Sequence, residues 1–291
     1  MGMLKWLSKK NIIRYTIALL LVAVLVSVSF YEKKGSKPYD IVILGDSVVG
    51  NIWGEINVKS VLEERTGKAV FNGAFGGSCM SMPKQNLWGS MVSTEWCMVK
   101  LAEAICYRDW NSQLAVVAYA DSYRDVNTLA LDYFAERMED LSQLDFSQVE
   151  VLVIEHGTND YNNGRPVDNP ENPYDVNTFG GALRYSLSLL QEHYPNLRIV
   201  ILSPIYCALG ENRDKQCYNT SYGEGSILDY YVALEKEIAE EYGVGWIDAY
   251  HGSGIWEDNV DVYMGDALHP RMIGHELLAN MIADHLEQVA D

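Results

Sequence analysis

The stretch DIVILGDS, residues 40–47, decides how this chain reads. Ile41, Val42, Ile43 and Leu44 form a consecutive apolar run, rich in β-branched side chains, closed by Gly45 and two polar residues. A strand that is apolar on successive residues, not alternate ones, is buried on both faces. That is the condition of a parallel strand covered by helices. Four further runs have this character: AVFNGA (69–74), VEVLVIEHG (149–157), RIVILSP (198–204) and VGWIDAY (244–250).

The segments between these runs change period. Leu183, Leu187, Leu190 and Tyr194 recur at helical spacing and stop at Pro195. Ile227, Tyr231, Leu234, Ile238 and Tyr242 repeat the spacing, with Ser226 and Asp229 placed as a capping box and Gly243 as the stop. A last helix is expected from about Arg271 to Gln288, with Leu278, Ile282 and Leu286 along one side. Strand–helix alternation predicts a three-layer α/β/α sandwich with a five-stranded, mostly parallel sheet, formed as one domain over residues 39–291. In such sheets ligands bind beyond the carboxyl ends of the strands.

Upstream lies a different kind of segment. Residues 15–31 carry no charge and are dominated by IALLLVAVLVSVSF, while Lys5, Lys9, Lys10 and Arg14 precede them. Apolar length and basic flank predict a cytoplasmic basic N-terminus (1–14), a single transmembrane signal anchor (15–31), and a body outside the cytoplasm. The alternative is a cleaved signal peptide with small residues at Ser27-Val28-Ser29, which exports the same body. YEKKGSKP, up to residue 38, reads as a linker.

The net charge of the chain is −18, and the first 38 residues hold seven basic groups against one acid, which leaves −24 on the remainder. A body so acidic repels polyphosphate, so nucleic acid is excluded as a partner. The five cysteines (79, 97, 106, 207, 217) contain no C-x-x-C pair, against a zinc knuckle; Cys207 and Cys217 are placed to bridge a short loop in an oxidising compartment.

Four polar or glycine-rich clusters fall at the expected strand ends: Gly45-Asp46-Ser47, NGAFGG (72–77), Gly157-Thr158-Asn159-Asp160, and DALHP (266–270). Each alone reads as a turn or a helix cap. Jointly they supply what acyl transfer needs. Ser47 is the candidate nucleophile, His269 the base, and Asp266 the group that fixes the imidazole tautomer. The backbone N–H groups of Ser47 and Gly77 and the side-chain amide of Asn159 are candidate oxyanion donors.

With these blocks in this order, the chain resembles the SGNH/GDSL hydrolase family over about residues 40–275. The family's Ser, Gly, Asn and His correspond to Ser47, Gly77, Asn159 and His269, and its acid to Asp266. The resemblance implies a flavodoxin-like sandwich and hydrolysis of esters or thioesters with no cofactor and no metal. The expected activity is that of an extracytoplasmic serine esterase acting on small-molecule or polysaccharide O-acyl esters. Transfer of the acyl group to a sugar hydroxyl, lysophospholipase or thioesterase activity, and glycan binding without catalysis are the alternatives.

Asp248 and His251 form a second D-x-x-H that competes for the role of base, and His156 stands beside the GTND block. His193, His275 and His285 lie on helical segments and read as structural or exposed. Asp46 and Asp160 are expected to brace loops through backbone hydrogen bonds. Trp53, Trp88, Trp96, Trp110, Tyr123 and Tyr161 are candidate pocket aromatics, with burial in the core as their default. The long segment from Ser78 to Val149 is expected to add a lid or substrate wall.

Overall fold

A computed structural model describes residues 38–50, 55–83, 94–122, 133–210 and 213–288. The expected cytoplasmic N-terminus, membrane anchor and most of the linker lie outside the described residues. Among the described residues no helix is long and apolar enough to cross a membrane.

The chain begins with β1 (Ile41–Gly45), the four-residue helix α1 (Ser47–Gly50), α2 (Val58–Thr66) and β2 (Val70–Asn72). The insertion that follows contributes α3 (Met98–Tyr107), α4 (Asn111–Ser122) and α5 (Phe134–Ser142). Then come β3 (Val151–Glu155), α6 (Thr158–Asn162), α7 (Phe179–His193) and β4 (Arg198–Leu202). A small hairpin, β5 (Ala208–Leu209) and β6 (Lys215–Gln216), precedes α8 (Leu228–Tyr242) and β7 (Gly245–Ile247). The chain closes with α9 (Ala249–Gly252), α10 (Val260–Tyr263) and α11 (Met272–Gln288).

The five long runs do form one sheet, in the order β2-β1-β3-β4-β7. Every pairing in it is parallel, with Ile41 opposite Val70 on one side and Val151 on the other. All residues of β1 and β3 are buried, as consecutive apolar strands require. Helix α2 packs on α11, and α3 and α8 pack on α7, giving the two helical layers. The order matches the doubly wound, flavodoxin-like arrangement, in which the chain reverses direction between β1 and β3 and opens a crevice there.

Three details differ from the sequence reading. The sheet is wholly parallel, and the antiparallel pair β5–β6 stands apart from it. Helix α8 starts from Ile227 with no side-chain cap, so Ser226 and Asp229 make no capping box there; Gly243 does end the helix in a left-handed conformation. Within the long insertion, the described helices send side chains into the core. Trp96 is 1% exposed and packs edge-on against Phe134.

Candidate active site

Every cluster singled out at a strand end lies at the carboxyl edge of the sheet. The turn after β1 is organised by Asp46. Its Oδ1 accepts from the Val48 N–H at 2.8 Å, capping α1, and its carbonyl accepts from Gly50 N at 2.8 Å. Ser47 thus occupies the first position of a helix one turn long and is 9% exposed. An N–H at the first helical position has no partner within the helix, and no acceptor among the described residues takes it.

After β2 the chain folds back over β1. Phe75 N donates to Gly45 O at 2.9 Å, and Asn72 donates to Val49 O at 2.8 Å while accepting from Ala74 N at 3.1 Å. Gly77 is exposed with φ of +77°, a conformation natural to glycine, and a Cβ built there meets open space. Its N–H also lacks an acceptor among the described residues.

After β3, Gly157 at φ +127° turns the chain into α6, where a Cβ would lie 2.7 Å from the Pro204 ring. The turn presents Asn159, whose Nδ2 donates to Asp46 Oδ2 at 2.9 Å. The other amide hydrogen of Asn159 meets no acceptor among the described residues. Asp160, fully buried, accepts from the N–H groups of Met80 and Ser81 at 2.7 and 3.0 Å, tying α6 to the loop after β2. Asp46 and Asp160 therefore both brace loops.

The last cluster sits between α10 and α11. His269 Nε2 is 3.0 Å from Ser47 Oγ, 222 positions away in the chain. His269 Nδ1 is 2.7 Å from Asp266 Oδ2. The other carboxylate oxygen accepts from the backbone N–H of Leu268 at 3.0 Å and of His269 at 2.7 Å. This tight return is possible because Ala267 adopts φ +64°, and its carbonyl is anchored by the Ala208 N–H of β5 at 3.1 Å. Burial pushes the Asp266 carboxyl up, but the ring and backbone N–H groups of His269 outweigh it and hold Asp266 below the usual carboxylate range.

The imidazole is thus held between a hydroxyl and a carboxylate, with its tautomer set by Asp266. Such an arrangement can withdraw a proton from Ser47 as the oxygen attacks a carbonyl carbon. A cavity of about 420 Å³ adjoins it, lined by Gly265, Asp266, His269, Pro270, Arg271 and Met272.

The rival pair is arranged differently. His251 is exposed and pinned between two carboxylates, Asp248 at 3.0 Å and Asp229 at 3.1 Å, with no hydroxyl on its ring among the described residues. His156 does not line the pocket: it is fully buried, with Nε2 2.9 Å from Ser78 Oγ. The Ser78 hydroxyl donates to Trp96 O, so Nε2 carries the hydrogen, and burial pushes the imidazole down to about 3. His275 is buried, His285 half-buried, and His193 bonds its own helix. Tyr161 is buried, and Trp110 is packed against the core. Trp53, Trp88 and Tyr123 lie outside the described residues. Among the described residues no cluster of His, Cys, Asp or Glu is suited to a metal ion.

Sequence reasoning did not single out Asn72, Glu155 and Arg137. Glu155 ends β3, is fully buried, and accepts from the Asp46 N–H at 3.3 Å. Burial, reinforced by the charge of Asp46, raises its carboxyl well above the usual range. An acid closing a strand otherwise made of Val, Leu and Ile was the available signal.

The profile of the GDSL-like lipase/acylhydrolase family matches residues 44–277. No curated protein sequence matches the chain. Among solved structures, one from Lactobacillus plantarum is 18% identical, covers 86% of this chain and 97% of its own, and superposes with a TM-score of 0.57. Another, described as a possible lipase from Chitinophaga pinensis, is 16% identical, covers 86% of this chain and 98% of its own, with a TM-score of 0.53. At these identities the likeness establishes the fold.

Proposed function

We propose that this chain, which belongs to the GDSL-like lipase/acylhydrolase family and is a serine ester hydrolase, cleaves carboxylic O-acyl esters outside the cytoplasm through Ser47, His269 and Asp266. The observation that carries the residue assignment is the double engagement of one imidazole, 3.0 Å from Ser47 Oγ and 2.7 Å from Asp266 Oδ2. Ser47 Oγ attacks the ester carbonyl while His269 Nε2 takes its proton. Negative charge develops on the former carbonyl oxygen, facing the N–H groups of Ser47 and Gly77 and the spare amide hydrogen of Asn159. His269 then returns the proton to the departing alkoxide, and water, activated by the same imidazole, releases the acid from Ser47.

An extracytoplasmic location is supported by the basic flank and apolar run of residues 5–31. Export favours an O-acyl group, such as O-acetyl on a carbohydrate, as substrate. The cavity beside His269 supports a second reading, in which a longer chain is housed as in a lysophospholipase or thioesterase.

Hydrolysis of a p-nitrophenyl ester series of increasing chain length, by the parent and by Ser47→Ala, tests both. Loss of turnover in the variant supports the nucleophile, and equal rates refute it. A preference for acetyl supports the first substrate reading, and a rise with chain length the second. Protease accessibility of the body in intact cells tests the location.

A further inference from the structure

Helix α5 buries Phe134, Arg137, Met138 and Leu141, a stripe at i, i+3, i+4 and i+7. One of these core positions is a cation. Arg137 is 8% exposed. Among the described residues no carboxylate pairs with it, and burial lowers its affinity for a proton, with Tyr133 opposing. A guanidinium in that setting must be satisfied by acceptors of another kind.

The acceptors are two backbone carbonyls. Nη1 and Nη2 reach Gly50 O at 3.3 and 3.4 Å, and Nη1 also donates to Ala74 O. The Tyr133 ring stacks under the guanidinium, 4.0 Å from its carbon. Gly50 is the last described residue of the helix begun by Ser47. Ala74 lies in the loop that leads to Gly77. The two backbones approach so closely that a Cβ on Gly50 would stand 3.1 Å from Ala74 O. Two carbonyl oxygens converging in a buried place repel unless a donor lies between them. Arg137 supplies it, while Asn72 makes the parallel tie through Val49 O and Ala74 N.

We propose that Arg137 is a positioning residue for ester hydrolysis, its guanidinium fixing the separation between the Ser47 helix and the Gly77 loop. The proposal rests on the reading of Ser47 as nucleophile and of Gly77 as an oxyanion donor. The two N–H groups aimed at the oxyanion sit on the two segments that Arg137 joins. Small displacement of one segment against the other weakens transition-state stabilisation more than substrate binding, and misplacement on the scale of 1 Å lowers rates by roughly 100-fold.

The experiment compares Arg137→Lys and Arg137→Ala with the parent and with Ser47→Ala. Steady-state hydrolysis of p-nitrophenyl acetate and thermal unfolding are measured for each, with and without millimolar guanidinium chloride. A lysine reaches as a single point charge and cannot fork between two carbonyls, so kcat is expected to fall roughly tenfold in Arg137→Lys and roughly 100-fold in Arg137→Ala. KM is expected to stay within about twofold, and added guanidinium, but not sodium chloride, to restore several-fold activity to Arg137→Ala. A merely architectural role predicts loss in proportion to the unfolded fraction, with no rescue, and that result overturns the proposal. So does a folded variant with parental kcat, or failure of both variants to fold. If Ser47→Ala keeps the parental rate, the nucleophile reading itself fails. If Ser47→Ala is inactive while the folded Arg137 variants are not, only the role of Arg137 fails.

Discussion

Asn159 donates its side-chain amide to Asp46 Oδ2 at 2.9 Å, joining the turn after β1 to the turn after β3 across 113 positions of sequence. Asp46 also caps the helix of Ser47. One carboxylate therefore orients both the segment of Ser47, the candidate nucleophile, and the third candidate oxyanion donor. This multiple use comes with complete burial beside a second acid, Glu155.

That burial has a pH consequence. Desolvation raises Asp46 from 3.8 to about 6, against the opposing hydrogen bonds from Val48, Asn159 and Glu155. The unfolded chain releases this proton at lower pH than the folded one. The contribution of Asp46 to stability is therefore full below its unfolded value and is lost as pH rises through about 6. Urea unfolding of the parent and of Asp46→Asn should show the parent's relative stability falling by up to about 3 kcal/mol between about pH 4 and pH 7. A pH-independent difference between the two proteins would contradict the raised value.

Asp266→Asn should leave the fold intact and lower kcat by at least about 100-fold, because an amide can stabilise the wrong imidazole tautomer. The Asp266 side chain is 58% exposed, so water can replace part of its action, and the loss is expected nearer that figure than the roughly 10,000-fold of a buried acid. Labelling of Ser47 by a fluorophosphonate should slow in parallel. Unchanged labelling would remove Asp266 from the catalytic arrangement.

His251→Gln should keep kcat within about twofold of the parent, since its ring is occupied by Asp248 and Asp229 on the surface. His269→Gln, measured beside it, should lose most of its activity. The reverse outcome would transfer the role of base to the competing D-x-x-H.

Cys207 and Cys217 stand opposite one another at the base of the β5–β6 hairpin, continuing the register of Ala208 with Gln216. The Cys217 N–H donates to Cys207 O at 3.2 Å and the Cys207 N–H meets Cys217 Sγ at 3.3 Å; both residues are buried free thiols. Refolding with oxidised glutathione should join them, releasing two reduced glutathiones per bond formed. Mass spectrometry should find the cross-link, and the loop-closure entropy predicts about 2–3 kcal/mol of added stability. The hairpin anchors Ala267 through Ala208, so the oxidised protein should also hold the Asp266–His269 turn more firmly. Two titratable thiols remaining at these positions would refute the pairing.

The architecture was readable from local pattern. Burial on both faces makes a parallel strand apolar at consecutive positions, and five such runs separated by helical periodicity admit few topologies. The strand ends could then be located, and with them Ser47, Gly77, Asn159, Asp266 and His269. What local pattern could not supply was contact between distant segments. The strand order, the 222-position approach of His269 to Ser47 and the engagement of His251 by Asp248 and Asp229 follow from how the sheet is wound. The capping of α8 was misread because a short motif does not fix its own backbone angles. Arg137, Asn72 and Glu155 escaped notice for the same reason. Their partners are backbone carbonyls and N–H groups, which every residue carries, so only tertiary structure decides which of these a side chain meets.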